Sequence, residues 1–198
     1  MLSPRKLAVF CSGQGSNFEA VARAIRRGRL RAGIALMVCD NPGAYALKRA
    51  ARHGIPVCLA SPPAFGSRGA WEKFLIQILK NQKVELVILA GFMRVLSPYF
   101  IRAYRNRILN IHPSYLPAFK GAHAIRDALR AGVGETGVTV HVVTEKVDSG
   151  PILLREKVKI LRTDTLKTLE TRIHKVEHRL YPEAISRYIL LKGNSWQE

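Results

Sequence analysis

Short apolar runs alternate with amphipathic segments through the first half of the chain. The runs have the length and composition of strands covered on both faces, and they occupy residues 6–11, 34–39, 56–59 and 86–90. The segments between them repeat apolar side chains every three or four positions and predict helices at 18–27, 44–53 and 70–82. Strands that alternate with helices in this way indicate an α/β protein with a doubly wound, mostly parallel sheet.

The pattern changes after Leu109. Beyond it we predict a helix at 122–131, strands at 138–143 and 152–158, and a long helix at 165–191. Pro182 is expected to kink or divide that last helix. The C-terminal part is therefore expected to be irregular and to carry a long C-terminal helix. Because no repeat, low-complexity tract or linker interrupts the chain, we interpret residues 1–198 as a single domain.

Composition narrows the class of protein. The 198 residues are 47% hydrophobic, which is enough for a core. No apolar run approaches the ~20 residues of a membrane span, so no membrane segment is expected. Residues 1–6 lead directly into a strand and do not resemble a signal peptide. Cys11, Cys39 and Cys58 are odd in number and lack metal-ligand spacing, which predicts reduced thiols in a cytoplasmic protein.

The chain is strongly basic, with a formal net charge of +18. Such a surface favours an anionic partner, which could be a nucleic acid, a membrane surface or a phosphorylated substrate. No zinc-finger or RNA-recognition signature accompanies the charge, so we do not expect nucleic-acid binding to be the main function. A non-enzymatic nucleic-acid-binding protein remains the alternative from another functional class.

The most informative stretch is 109–117, which reads Leu-Asn-Ile-His-Pro-Ser-Tyr-Leu-Pro. Alternation in an extended segment puts Asn110 and His112 on the same face, and Pro113 and Pro117 then end the strand. Open α/β sheets bind their ligands at such strand ends. An amide that donates a fixed hydrogen bond, beside an imidazole that titrates near neutral pH, suits a reaction in which a carbonyl oxygen becomes an oxyanion.

The loop at 13–17, Gly-Gln-Gly-Ser-Asn, follows one predicted strand and opens a helix. Backbone N–H groups at a helix N-terminus bind phosphate, and glycine allows the phosphate to come close. The loop lacks the Gly-Lys of a P-loop and the third glycine of a dinucleotide fingerprint. A plain strand-to-helix turn, capped by Ser16 or Asn17, is an equally open alternative.

Three other segments each allow both a functional and a purely structural interpretation. The apolar residues of 89–96 either clasp a flat ring or pack beneath a loop. Thr139 and His141 share one face of a strand and either reach His112 or fill a half-buried position. Asp148 is by composition a turn residue; beside His112 it would favour the charged imidazolium.

The long helix carries His174, Glu177 and His178 on one face. Their spacing is compatible with metal ligands, but the order His-Glu-x-x-His is absent and Lys175 and Arg179 flank the cluster. No metal site is therefore expected.

Seven motifs occur in order between about residues 6 and 182. They are Ser-Gly-x-Gly-Ser-Asn at 12–17, Leu-Ala-Gly-Phe-Met-Arg at 89–94, Leu-Asn-Ile-His-Pro-Ser at 109–114, Lys-Gly-Ala-His at 120–123, Gly-x-Thr-Val-His at 137–141, Val-Asp-x-Gly-Pro at 147–151 and Glu-His-x-x-Tyr-Pro at 177–182. Together they resemble the folate-dependent formyltransferases. The Gly-Ser-Asn loop and Lys-Gly-Ala-His point, within that group, to the glycinamide ribonucleotide formyltransferase family of purine biosynthesis.

The resemblance implies a Rossmann-like formyltransferase fold and a set of roles. Asn110 and His112 would act on the formyl group, and Asp148 would support His112. The residues implied for the ribonucleotide are Gly15, Ser16, Asn17, His174 and Glu177, with His174 in place of the family's usual Gln. Those implied for the folate are Arg68, Met93, Arg94, Val95, Leu96, Asn110, Thr144, Glu145, Lys146, Val147 and Asp148.

The implied reaction moves the formyl group of 10-formyltetrahydrofolate, a co-substrate, to the amine of glycinamide ribonucleotide. No metal and no covalent enzyme intermediate are required. The implied partners are these small molecules, and the implied assembly is a monomer or weak homodimer.

Two enzymes of the same group are the nearest alternatives. Methionyl-tRNA formyltransferase shares the Asn, His and Asp set, and a basic chain suits tRNA. It carries a further C-terminal domain of ~100 residues, which we do not expect beyond residue 198. Formyltetrahydrofolate hydrolase would carry an extra N-terminal domain, whereas the first predicted strand begins at residue 6.

Overall fold

A computed structural model describes residues 4–192. Residues 1–3 and 193–198 of the predicted single domain lie outside the described residues. The first of these ranges is half of the segment 1–6, which was predicted not to be a signal peptide. The strands are β1 (Arg5–Cys11), β2 (Ala32–Cys39), β3 (Val57–Leu59), β4 (Leu86–Leu89), β5 (Ile108–His112), β6 (Glu135–Val142) and β7 (Ile152–Lys159). The helices are α1 (Ser16–Arg26), α2 (Ala46–Arg52), α3 (Arg68–Asn81), α4 (Pro98–Ala103), α5 (Ala124–Arg130) and α6 (Leu166–Lys192), with a short 3₁₀ turn at Pro62–Ala64.

The seven strands form one sheet in the order β3-β2-β1-β4-β5-β6-β7. The first five strands in this order, β3, β2, β1, β4 and β5, are parallel to one another. Strands β6 and β7 extend the sheet through antiparallel pairs. The predicted doubly wound, mostly parallel α/β fold is confirmed, including the long C-terminal helix. Because successive strands run to one side of β1 and then to the other, the order reverses between β1 and β4. Ligand clefts form at such a reversal, outside the carboxyl ends of the strands.

Two apolar cores cover the two faces of the sheet. On one face α1, α2 and α6 contribute buried side chains, among them Phe18, Ala50 and Ile173. On the other face α3 and α4 contribute Trp71 and Phe100. Burial on both faces explains why the parallel strands read as continuous apolar runs.

Helix α4 is absent from the sequence-based prediction. Its six residues are too few for a helical period to be recognised. Its local signals are nevertheless ordinary ones, because the Ser97 hydroxyl accepts the Phe100 N–H and Pro98 occupies the first turn. The helix forms part of the connection that brings the chain from β4 to β5.

Of the two effects predicted for Pro182, a kink or a division, division is wrong, since α6 runs from Leu166 to Lys192 without a break. An interior proline costs roughly 3 kcal/mol in a helix. Tertiary contacts on both sides of it offset that cost. The Tyr181 hydroxyl lies 2.8 Å from the Leu89 carbonyl oxygen and 3.0 Å from that of Leu109, and Ile185 is fully buried.

The three cysteines are free thiols, as predicted, and Cys11 and Cys39 are buried. Burial raises the pKa of the Cys11 thiol, which keeps it protonated and unreactive. Within residues 4–192, no helix combines the length and the apolar character needed to cross a membrane.

Candidate active site

A cleft of about 530 Å³ opens at the carboxyl ends of β1, β4 and β5, where the strand order reverses. Sixteen of the seventeen residues singled out from the sequence line it: Gly15, Ser16, Asn17, Met93, Arg94, Val95, Leu96, Asn110, His112, Thr144, Glu145, Lys146, Val147, Asp148, His174 and Glu177. Arg68 is the exception. It begins α3 outside the lining and donates a hydrogen bond to the Val95 carbonyl at the edge of the cleft.

Strand pairing fixes the direction of Asn110 and His112. In the antiparallel register of β5 and β6, Asn110 lies opposite His141 and His112 opposite Thr139. The Asn110 Nδ2 atom is 3.3 Å from His141 Nε2. An amide nitrogen carries two hydrogens, so Asn110 can direct one of them into the cleft while its side chain stays beside His141.

Asp148 joins the two histidines. Its Oδ2 atom is 3.4 Å from His112 Nδ1 and accepts the Gly121 N–H at 2.9 Å, while its Oδ1 atom is 3.6 Å from His141 Nε2. Burial alone raises the pKa of the Asp148 carboxyl. The hydrogen bond with His141, that from Gly121 and the charge of His112 outweigh burial and lower the pKa from 3.8 to about 2. A negative charge is therefore held beside both rings.

His112 faces oxygen acceptors with both ring nitrogens. Its Nδ1 atom faces Asp148, and its Nε2 atom is 2.8 Å from the Phe119 carbonyl oxygen. Only the doubly protonated ring donates to both acceptors at once. The site thus places both ring nitrogens of His112 opposite oxygen acceptors, next to the amide nitrogen of Asn110. This combination is suited to stabilising an oxyanion.

The charge of Asp148 is expected to make folding stability depend on pH in acid. Because its pKa is lowered in the fold, its contribution is complete above pH 3.8 and is lost as the pH falls through about 2. The difference in unfolding free energy between wild type and Asp148→Asn, measured by denaturant titration, should be larger near pH 5 than at pH 3 and should shrink further towards pH 2. A difference that stays constant down to pH 2 would contradict this origin.

A second polar group lies where α1 meets α6. The Asn17 Nδ2 atom donates to Glu177 Oε2 at 2.9 Å, and His174 Nε2 is 4.0 Å from the same oxygen. Burial raises the pKa of Glu177, against the opposing effects of Asn17 and His174. Within the described part of the chain, Asn17 Oδ1 is a buried acceptor without a hydrogen-bond donor, so it can accept a donor from a ligand.

Neither Ser16 nor Asn17 caps the start of α1, so the alternative of a plain strand-to-helix turn capped by one of them is wrong. Gly15 is the N-cap residue, with φ of +67°, and no side chain of the described residues caps the helix. Ser16 and Asn17 are instead its first two residues. The first backbone N–H groups of α1 are therefore left for water or for an anion.

Exposed apolar side chains also line the cleft. Met93 is 69% exposed and Val95 is 62% exposed, although both are large and apolar. Their segment is tied down, because the Met93 N–H donates to Ser12 Oγ at 2.9 Å and Arg94 Nε donates to Asp40 at 2.7 Å. A fixed, exposed apolar surface beside a cleft is suited to a flat apolar ligand.

A model of the family described as formyl transferase matches residues 5–185 of this chain. The chain belongs to the formyl transferase family. It is 44% identical over 189 residues to phosphoribosylglycinamide formyltransferase of Bacillus subtilis (strain 168), an alignment that covers 96% of this chain and 97% of that protein.

Further matches bear on both fold and family. The crystal structure of phosphoribosylglycinamide formyltransferase from Bacillus halodurans superposes with a TM-score of 0.94 at 44% identity, covering 98% of this chain and all of that one. The trifunctional purine biosynthetic protein adenosine-3 of Gallus gallus is 43% identical over 180 residues, which is 91% of this chain and 18% of that larger protein.

Three residues of this formyltransferase make contacts in the site but lie beyond the predicted set of site residues. His141 reaches the His112 region, one of the two interpretations its strand allowed, and contacts Asn110 and Asp148. Phe119 and Gly121 supply backbone groups to His112 and Asp148. The alternation of side chains along β6 could have predicted the direction of His141. The contacts of Phe119 and Gly121 could not be predicted in this way, because every residue has a backbone carbonyl and these groups do not depend on the side chain.

Proposed function

We propose that this formyltransferase moves the formyl group of 10-formyltetrahydrofolate to the amine of glycinamide ribonucleotide, a step of purine biosynthesis. The observation that carries the proposal is the convergence of Asn110, His112 and Asp148 on one cleft. The names of the relatives at 43–44% identity support the same reaction.

The two ends of the cleft suit the two substrates. The exposed apolar surface of Met93 and Val95, with the segment 144–148, would hold the folate ring. The uncapped start of α1 would hold the ribonucleotide phosphate, because backbone N–H groups and the helix dipole both favour an anion there. Asn17 and Glu177, which are hydrogen-bonded to each other in the cleft lining, would meet the hydroxyl and amine donors of the same substrate.

The proposed reaction begins when the glycinamide amine attacks the formyl carbon, whose carbonyl oxygen gains the negative charge. His112 Nε2–H and the free N–H of Asn110 stabilise that oxygen, which replaces the Phe119 carbonyl as the acceptor for His112. The amine loses a proton and the folate nitrogen gains one as its bond to the formyl carbon breaks. Asp148 keeps the His112 ring charged and oriented throughout.

Comparing formyl acceptors tests the proposal. We expect tetrahydrofolate release from 10-formyltetrahydrofolate to require glycinamide ribonucleotide, with little release in its absence. Unformylated methionyl-tRNA is the comparison acceptor, because the net charge of +18 favours a tRNA partner. Release driven by methionyl-tRNA, or by water alone, would assign the chain to a different reaction.

Glu177 offers a test of the ribonucleotide end. Glu177→Gln should raise the KM for glycinamide ribonucleotide by about tenfold, because an amide NH₂ replaces one oxygen of the buried carboxyl group and cannot accept a hydrogen bond there. The KM for the folate should change less than about twofold, since Glu177 is not among the residues proposed to hold the folate. Steady-state kinetics with each substrate varied in turn would measure both effects.

Glu183→Gln is the matched control for this substitution. It makes the same change on the same helix at an exposed ion pair with Arg187. Equal effects of the two substitutions on the ribonucleotide KM would rule out a binding role for Glu177.

A further inference from the structure

We propose that Arg49 is a positioning residue for the substrate phosphate, acting on the loop at 13–17 from behind. The inference rests on the proposed function, because it assigns the start of α1 to the phosphate of the ribonucleotide. Arg49 does not line the cleft; it lies on α2, on the far side of the loop.

Two successive carbonyl groups of the loop are turned away from the cleft and towards α2. The Gly13 carbonyl accepts the Ala46 N–H at 3.1 Å, and the Gln14 carbonyl accepts Arg49 Nε at 2.9 Å. A carbonyl pointing into the cleft would repel a phosphate oxygen. By holding Gln14 in this direction, Arg49 leaves the following N–H groups as the polar groups that a phosphate meets.

The close packing of α2 on the loop supports this role. A Cβ atom added to Gly15 would lie 2.7 Å from the Ala46 Cβ atom and 3.6 Å from the Arg49 Cδ atom. Gly15 also has φ of +67°, a conformation that glycine adopts without strain. Gly15 is thus required by α2 as well as by any phosphate, so Gly15 variants cannot separate folding from binding, whereas Arg49 variants can.

Arg49 also offsets a negative charge close to the phosphate end. Glu19 stands in the first turn of α1, and its Oε2 atom is 3.3 Å from Arg49 NH1. Arg23 and His53 contact the other carboxylate oxygen at 2.6 Å and 3.2 Å. Burial raises the pKa of Glu19, but these partners outweigh it and lower the pKa, so the carboxylate is ionised at neutral pH. Without Arg49, that charge would oppose an incoming phosphate.

Two further observations indicate that this end of the cleft awaits a ligand. The eleven-residue helix α1 has no side-chain cap among the described residues. Asn17, whose side chain is buried in the cleft lining, retains an acceptor oxygen without a partner in the described part of the chain. Both features lie within the segment that Arg49 orients.

Arg49→Met tests the inference, since it keeps the length of the stem and removes the guanidinium. We expect the KM for glycinamide ribonucleotide to rise about tenfold or more, with kcat and the folate KM within about twofold of wild type. Inhibition by inorganic phosphate should weaken in parallel. Adding Glu19→Gln should restore about threefold of the lost affinity, because it removes the carboxylate charge that Arg49 no longer offsets beside Arg23 and His53. A purely structural defect would not be rescued in this way.

Arg52→Met is the matched control, because Arg52 lies one turn further along α2 and contacts Tyr45. Equal effects of Arg49→Met and Arg52→Met, or an equal rise in the folate KM, would overturn the inference. If Arg49→Met does not fold, Arg49→Lys serves as the second variant, because it keeps the positive charge but lacks the planar guanidinium group with its several N–H donors. We expect it to raise the ribonucleotide KM about threefold, and an unchanged KM would overturn the inference.

Inorganic phosphate separates this inference from the proposed function, since its binding needs no turnover. Phosphate binding that depends on Arg49, in a wild-type protein without transfer activity, would overturn the proposed reaction alone. Normal transfer with phosphate binding unaffected by Arg49→Met would overturn the role of Arg49 alone.

Discussion

Replacement of His112 by alanine is expected to lower kcat by about two to four orders of magnitude. In the proposed mechanism, the substitution removes the ring donor that faces the developing oxyanion and leaves Asn110 as the remaining donor. The KM values should change far less, because the interaction strengthens only as negative charge forms on the oxygen. Single-turnover kinetics would measure the chemical step directly.

Calorimetric binding of each substrate and thermal unfolding serve as controls for the His112→Ala variant. The variant should remain folded, because His112 is at the end of β5 and its ring faces the cleft. A folded variant that retains more than about a tenth of wild-type turnover would exclude His112 as the principal oxyanion donor.

Asp148→Asn should reduce kcat by about a hundredfold at neutral pH. The asparagine fills the same volume and can still accept the Gly121 N–H, but it removes the negative charge between His112 and His141. Without that charge, the Nδ1 atom of His112 no longer faces a carboxylate. The pH dependence of kcat should also shift, and a pH–rate profile of both proteins would detect this.

Asp127→Asn is the control for Asp148→Asn, since it makes the same chemical change in the first turn of α5, outside the cleft lining. It should leave kcat within about twofold of wild type. Should Asp148→Asn behave like this control, the carboxylate beside His112 would have no part in the chemistry.

The fold was largely predictable because its strands are buried on both faces. A parallel strand such as β4 reads as an unbroken apolar run, and the helices between strands show a clear helical period. Helix α4 escaped prediction because six residues carry little periodicity. The error at Pro182 has a different cause, since the contacts of Tyr181 that maintain the helix come from strands some 70 to 90 residues away.

The sequence pattern alone predicted the relation between site residues only where they are close together in the chain. Asn110 and His112 are two residues apart, so alternation alone put them on one face. Asp148 was linked to His112 through the family resemblance, because no short-range pattern relates residues so far apart. The contact of His141 with Asn110 depends on the antiparallel register of β5 and β6, and composition does not reveal a register.

The position of Arg49 also could not be predicted from the sequence. It stands in a basic stretch where every Arg and Lys looks alike in the sequence. Its distinction is tertiary, since α2 packs against the loop at 13–17 and brings the guanidinium within 2.9 Å of the Gln14 carbonyl. The function of such a residue can be recognised only after the packing of helix on loop is known.

The fate of a labelled formyl carbon tests the proposed function most directly. The protein would be incubated with glycinamide ribonucleotide and 10-formyltetrahydrofolate carrying ¹³C in the formyl group, and the products followed by NMR and mass spectrometry. We predict that the label moves to the amine of glycinamide ribonucleotide in step with tetrahydrofolate formation, and that His112→Ala slows both equally. Label recovered as free formate, or retained on the folate while the ribonucleotide stays unmodified, would contradict the proposed function.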